Sequence, residues 1–481
     1  MLVRALLVAL GVSALCALVF RDRRRGALPA SALLLVGLGY GHAVALLPAG
    51  IPPEPAVLGG GALLVLVALL VAWRAGRGRI DAITRGLDIV AAILVALALI
   101  NVGPRSMELL FRSPPPLADR PAPVAGDRDI WLLVLDRHGS TRSLATLGGI
   151  EPRLPGLLAE RGFAMAADAR ANYDRTTLAL ASLLGMDYLD PIVERMGPQS
   201  SDESPLVDAI RDHAVGRRLR ERGYELIQLG SWFLPTASSA IADRVEGATT
   251  QPDFERLFQE TTILALTETV LETEIFHNDR QHRETALHQL ATLEDLRTER
   301  AARPRFIFAH LLLPHPPYVF RADGAYPTEE ERKRPGPEQY EDQLRFTETQ
   351  LTGFLDRLLA VPAAERPIVI VAADEGPYPK RLEDEMGAFD WRGATDEELL
   401  IKFGTLLAIH LPTPGEPVVG ERMTPVNIFR LVFDRAFGTE LGLLPDRTFR
   451  SRDGSHPYDQ DEITERLDAI DATRPFPSPA G

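Results

Sequence analysis

The chain has 481 residues, a formal net charge of −14, 46% hydrophobic residues and one cysteine, which is long enough for more than one folding unit. Residues 1–104 hold nine Arg, no Lys and four acids, a balance of +5, so the remainder carries −19. That acidic remainder excludes nucleic-acid binding through a general basic surface. Cys16, alone in an apolar run, excludes a disulfide scaffold and leaves the rest of the chain without a cysteine nucleophile or zinc–thiolate site.

Four apolar runs open the chain: 2–20, 27–47, 56–73 and 83–103. Each approaches or reaches the ~20 residues that a helix needs to cross a membrane. A cleaved signal peptide would account for the first run only. The loops "RDRRRG" (21–26) and "RAGRGRIDAITRG" (74–86) carry the arginines and "PAGIPPEPA" (48–56) carries none. The positive-inside rule then puts both Arg loops in the cytoplasm and everything after residue 104 outside it. These patterns predict a four-helix transmembrane region over 1–104 and a stiff, Pro-rich linker over 105–127.

Beyond the linker the pattern alternates between strand and helix. "DIWLLVLD" (129–136), "YELIQLG" (224–230), "RFIFAHLLL" (305–313), "PIVIVAA" (367–373) and "GTLLAIHLP" (404–412) read as buried strands. Helical spacing marks 154–163, 338–360 and much of 252–300. This alternation predicts an α/β domain over 128–445, with its chemistry at the carboxyl ends of the strands, and a C-terminal tail over 446–481.

Three strands end in polar residues: Asp136, then His310 running on to His315, then Asp374-Glu375. Taken singly these read as a capping Asp, a surface His and a turn. Repeated at three strand ends, they point to one shared site. The pair Asp374-Glu375 would repel and resist burial unless a cation lay beside it. "ANYDRTTLALASLLGMDYL" (171–189) turns helical near Thr176. A hydroxyl in that first turn faces unpaired amides and the positive dipole end, which suits either a cap or a phosphoryl acceptor. Spacing does not choose between Thr176 and Thr177. The segment 389–404 reads as a solvated helix, with Lys402 a secondary candidate for closing over the site. Arg430 reads as structural and His456 as a surface residue.

The ordered set of a strand ending in Asp136, "NYDRT", "HLLLPHPP" and "ADEG" resembles the sulfatase-like hydrolases and transferases of the alkaline phosphatase superfamily. Within that group it looks most like membrane-anchored enzymes related to lipoteichoic acid synthases and phosphoethanolamine transferases. The resemblance spans roughly residues 128 to 445 and implies an alkaline-phosphatase-like fold. It implies that Asp136, Thr176, Asp374 and Glu375 hold a divalent metal and that Thr176 rather than Thr177 is the nucleophile. His315 would contact the substrate phosphate or leaving group, with His310 and Lys402 as weaker substrate candidates. Two features depart from the pattern. The formylglycine motif of sulfatases proper is missing, and Glu375 stands where most relatives have a metal-binding His. An all-oxygen ligand set favours Mn²⁺ or Mg²⁺, with Zn²⁺ also compatible. The implied activity is phosphoryl transfer or phosphodiester cleavage on a membrane lipid headgroup, with an envelope glycan or polymer as acceptor. The alternatives are a phosphate or sulfate monoester hydrolase and a non-catalytic envelope protein that keeps the fold.

Overall fold

A computed structural model describes residues 2–45, 47, 53–111, 117, 120–247, 262, 278–385, 389–412 and 419–473. The chain divides into two compact units, Met1–Arg112 with Thr250–His277, and Ser113–Thr249 with Asn278–Gly481.

In the first unit all four apolar runs are helical. They lie in helices Leu2–Phe20, Arg23–Leu38 with Tyr40–Ala45, Pro53–Arg74 and Arg77–Phe111. The second run is interrupted at Gly39, which caps the end of its helix. Among the described residues one helix, Pro55–Arg74, is long and apolar enough to cross a membrane, and the apolar stretch Leu6–Phe20 is shorter. Large apolar side chains such as Leu7, Leu18, Leu63 and Ile89 face outward. The two Arg-rich loops meet, because Arg24 Nη1 sits 2.9 Å from both carboxylate oxygens of Asp81.

The predicted linker is corrected at both ends. The helix Arg77–Phe111 runs through residues 105–111, since no helix breaker follows Pro104 until the Pro tract at 114. From Arg120 onward the segment is docked on the second unit rather than free. Arg120 pairs with Asp243, and Asp127 accepts from Arg222 at 2.6 Å.

The second unit is built on a seven-stranded sheet of order β2-β7-β6-β1-β5-β3-β4. Its strands are β1 (Ile130–Leu135), β2 (Ala164–Met165), β3 (Glu225–Leu229), β4 (Arg244–Glu246), β5 (Arg305–Leu311), β6 (Ile368–Ala372) and β7 (Leu407–His410). Every side chain of β1, β5 and β6 is buried, as their largely apolar sequences require of central strands. β1 pairs in parallel with β5 on one side and β6 on the other. β7 runs antiparallel to both of its neighbours, so the sheet is mostly parallel.

Alternation along the strands divides the core between two faces. Ile130, Leu132, Val134 and Phe308 pack with residues of helices Thr176–Gly185, Ser204–Arg211 and Ile428–Phe437. Trp131, Leu133, Leu135 and Ile307 pack with residues of helices Leu154–Glu160, Asn278–Thr298 and Gly336–Leu359. Of the helical stretch expected over 252–300, residues 252–277 lie outside the described residues except Thr262.

Residues 446–473 are not a separate tail. They form a small antiparallel pair, β8 (Phe449–Ser451) with β9 (Gln460–Glu462), and a helix, Thr464–Thr473. Ile463, Leu467 and Ile470 bury against Phe389, Trp391 and Phe403. The carboxylate of Asp471 is buried between Arg142 and Arg170. Short, charged elements of this kind carry little periodicity, so the sequence alone reads as a tail.

Candidate active site

The parallel register aligns Val134 of β1 with His310 of β5 and with Ala372 of β6. Three adjacent central strands therefore end together, bringing Asp136, His310 and Asp374 to one point. One ligand atom from each of these three buried residues lies within 4.8 Å of the other two. Asp136 Oδ1, His310 Nε2 and Asp374 Oδ2 are buried without a hydrogen-bond partner. Leaving such groups unpaired costs about 1–3 kcal/mol each, more when charged. A divalent cation fits this set, because it would satisfy all three orphaned atoms and the charge between the carboxylates.

Neighbouring groups hold each of these residues. Asp136 N–H donates to Leu311 O at 2.9 Å. Asp374 Oδ1 accepts the Arg137 amide at 3.2 Å. His310 Nδ1 lies 3.0 Å from Thr236 Oγ1, which sets the ring and leaves Nε2 facing Asp136 at 3.5 Å. Burial, then the Asp136 and Glu375 charges, push the Asp374 carboxyl up to about 7. Burial also works to raise Asp136, but His315, His310 and Arg137 outweigh it and hold that carboxyl well below the usual range.

Thr176 is the first residue of its helix and is nine-tenths buried. Its side chain lies near the Asp374 carboxyl and works to lower it. The residues before it anchor the turn. Asn172 accepts from Val426 N–H and donates to Arg447 O, Tyr173 stacks on Phe449, and Asp174 accepts from both Ser451 N–H and its hydroxyl. Thr177, by contrast, is occupied: its hydroxyl donates to Glu203 at 2.9 Å. Thr176 and Thr177 both line a cavity of about 330 Å³ with Arg137, Glu375, Tyr378 and Lys402.

His315 is half-buried, with ring contacts to Trp232 and Tyr378 at 5.4 and 6.4 Å. Its Nδ1 bonds the Pro316 carbonyl, which requires Nδ1–H as donor and leaves Nε2 as acceptor. Burial, then Arg137, press its pKa down to about 3, so the ring is neutral near pH 7.

Glu375 stands beside the trio but outside it. Its Oε1 takes Lys402 Nζ at 2.8 Å and Arg137 Nε at 3.1 Å. Burial pushes the Glu375 carboxyl up and the Lys402 ammonium down, and each charge opposes the shift of the other. The helix that carries Lys402, Asp396–Phe403, buries Leu399 through Phe403. The solvated helix expected over 389–404 is thus corrected, because its apolar face closes on Trp391 and Phe389. Arg137 carries little sequence signal beyond its place directly after Asp136 at a strand end. Arg430 donates to the carbonyls of Met186, Leu441 and Gly442, a structural role, and His456 pairs with Asp453, which lines the same cavity as Thr176.

No protein-family model matches the chain, and no curated protein matches it in sequence. Among solved structures, the C-terminal periplasmic domain of EcEptC from Escherichia coli in complex with Zn is similar at a TM-score of 0.43 and 12% identity, covering 73% of this chain and 92% of that one. The lipooligosaccharide phosphoethanolamine transferase EptA from Neisseria meningitidis gives 0.37 and 13%, covering 79% and 71%. A protein in the alkaline phosphatase superfamily from Vibrio parahaemolyticus gives 0.38 and 15%, covering 69% and 74%. The structural neighbours of this chain include phosphoethanolamine transferases, a phosphonate monoester hydrolase, a putative sulfatase and a protein in the alkaline phosphatase superfamily.

Proposed function

We propose that the chain is a membrane-anchored, metal-dependent phosphotransferase or phosphodiesterase with Thr176 as its nucleophile. The observation that carries this reading is the placement of Thr176. A hydroxyl at a helix start, close enough to Asp374 to act on its carboxyl, stands beside three orphaned ligand atoms and opens onto a cavity with buried cations.

Asp136, His310 and Asp374 would hold the ion, and Thr176 would lie beside it. A divalent cation there supplies Lewis acidity that lowers a hydroxyl's pKa and polarises phosphoryl oxygens. Mn²⁺, Mg²⁺ and Zn²⁺ all accept two carboxylates and an imidazole. Thr176 Oγ attacks phosphorus in line, the Oγ–P bond forms and the P–O bond to the leaving group breaks, and the proton lost from Thr176 ends on the departing oxygen, giving a phosphothreonine and a free alcohol. The helix amides behind Thr176 favour the added negative charge. His315 orients the leaving oxygen, and its Nε2 accepts the proton of the alcohol or water that resolves the intermediate.

Four membrane-spanning helices, with the catalytic unit on the extracytoplasmic side, are part of the proposal. The contact of Arg24 with Asp81 supports it by joining the two Arg-rich loops at one end, as the positive-inside rule expects. That address suits a lipid headgroup as donor and an envelope glycan as acceptor.

The test is the full chain in detergent with Mn²⁺, offered bis(p-nitrophenyl) phosphate, p-nitrophenyl phosphate and p-nitrophenyl sulfate. The diester should be cleaved fastest, and Thr176→Ala should lose about 10³-fold or more. Preference for either monoester would favour the hydrolase alternative. Cleavage of none would favour the non-catalytic one.

A further inference from the structure

Three buried charges stand beside the candidate ligands and are not among them. Arg137, Glu375 and Lys402 are 6%, 1% and 2% exposed. Arg137 Nε reaches Glu375 Oε1 at 3.1 Å and Asp136 Oδ1 at 3.6 Å, and its guanidinium lies over the Tyr378 ring at 3.2 Å. Lys402 Nζ reaches the same Glu375 oxygen at 2.8 Å and lies 5.0 Å from the Tyr378 centroid. The backbone adds a further restraint, since Gly376 N–H donates to Lys402 O at 2.7 Å.

An oxygen that already neutralises two buried cations cannot turn to a metal without stranding both, which is costly in a low-dielectric site. His310 meanwhile supplies a third ligand atom without Glu375. Arg137 Nη1 is buried without a hydrogen-bond partner, and Arg137 and Lys402 line the cavity that Thr176 lines. A fixed, unspent guanidinium donor beside a nucleophile matches the oxygens of a tetrahedral phosphoryl group.

We propose that Glu375 is a positioning residue and not a metal ligand: it pins Arg137 and Lys402 as a paired cation on the cavity wall, where they hold a phosphoryl oxygen, and the centre takes one divalent ion. This rests on the metal-dependent reading above. The competing possibility runs through Glu375 Oε2, which is buried and unpartnered and would be the ligating atom. The two readings differ in what Glu375 does to metal affinity.

The probes are Mn²⁺ and inorganic phosphate, titrated calorimetrically into the full chain in detergent. Wild type should bind one Mn²⁺. Glu375→Gln should bind it within about tenfold of wild type, and Asp374→Asn more than about a hundredfold more weakly. The double variant Glu375→Gln/Lys402→Met removes opposite charges together, so it guards against misfolding from a stranded cation, and it should also stay within about tenfold. Lys402→Met and Arg137→Gln should weaken phosphate binding to the Mn²⁺ form by more than about tenfold with Mn²⁺ affinity held. Loss of Mn²⁺ in both Glu375 variants to the extent of Asp374→Asn, two ions in wild type, or unchanged phosphate affinity would each overturn the proposal. A wild type that binds no Mn²⁺ would instead remove the metal-dependent reading itself.

Discussion

The amide of Gly376 donates to the carbonyl of Lys402 at 2.7 Å, so the strand end that carries Asp374 and Glu375 is tied to the neighbouring helix by backbone as well as by charge. Any Cβ at position 376 would collide with the carbonyl oxygens of Ile401, Lys402 and Gly404. Backbone atoms cannot swing aside as a flexible side chain does. Gly376→Ala should therefore cost about 1–3 kcal/mol of stability and weaken Mn²⁺ binding by displacing Asp374. Denaturant unfolding followed by tryptophan fluorescence reads the first effect and calorimetry the second. An unchanged midpoint would show that the two segments are less tightly joined than this.

The two adjacent threonines should separate cleanly. Thr177 already spends its hydroxyl on Glu203, whereas Thr176 faces Asp374. Brief reaction with a phosphorus-labelled diester and acid quench should label wild type and Thr177→Ala, but not Thr176→Ala. Label surviving in Thr176→Ala would move the nucleophile elsewhere.

His213 provides a pH dependence outside the metal candidates. Its Nδ1 accepts from Gly216 N–H at the start of helix Ala214–Glu221, and its ring packs edge-on against Phe306 and Phe308. Burial, then Arg217, lower its pKa from 6.5 to about 3. Between those values the unfolded chain binds the proton and the folded one does not. Stability is therefore fully present above pH 6.5 and falls as the pH drops toward 3, by up to about 1.4 kcal/mol per unit. His213→Asn keeps a capping acceptor but not the titration. It should be less stable at pH 7 through lost ring packing, yet show a shallower decline below pH 6.5. Parallel pH profiles would refute the assignment.

Asp471 tests whether the last helix belongs to the α/β unit. Asp471→Ala leaves Arg142 and Arg170, each 7% exposed, without their shared carboxylate. Arg142 keeps Asp168 and Arg170 keeps Asp468, so the cost should fall below the ~3–5 kcal/mol of a fully stranded buried charge. Truncation after residue 445 should be worse, since it also exposes the apolar side chains that Ile463, Leu467 and Ile470 cover. A truncated chain that unfolds at the wild-type midpoint would return these residues to the status of a tail.

What the sequence made legible follows a physical division. β1, β5 and β6 announce themselves because central strands bury both faces, so each is mostly apolar and carries or leads into the site's polar residues. The helix start at Thr176 is equally plain, where the chain passes from polar to apolar. The direction of β7 is not legible, because an apolar run reads the same in both senses. Lys402 sits in "DEELLIKFG", where charge argues for solvent. Only the tertiary partner Glu375 explains its burial. His310 reads from sequence as a secondary substrate residue, and the β1–β5 register is what sets it beside Asp136.

β1 lies at the centre of the sheet, yet both of its neighbours come far later in the chain, with Ile130 aligned to Phe306 on one side and Ile368 on the other. No strand made earlier can take its place in the ladder. As the chain is synthesised, residues 130–135 must remain unpaired on both edges until more than 170 further residues have followed. Such non-local pairing is slow and leaves apolar edges open to aggregation. The same wiring delays the site: Asp136 cannot meet His310 or Asp374 until the central sheet has closed. Metal-binding competence should therefore arrive as one of the last events of folding, and chains halted before residue 368 should depend heavily on holding factors.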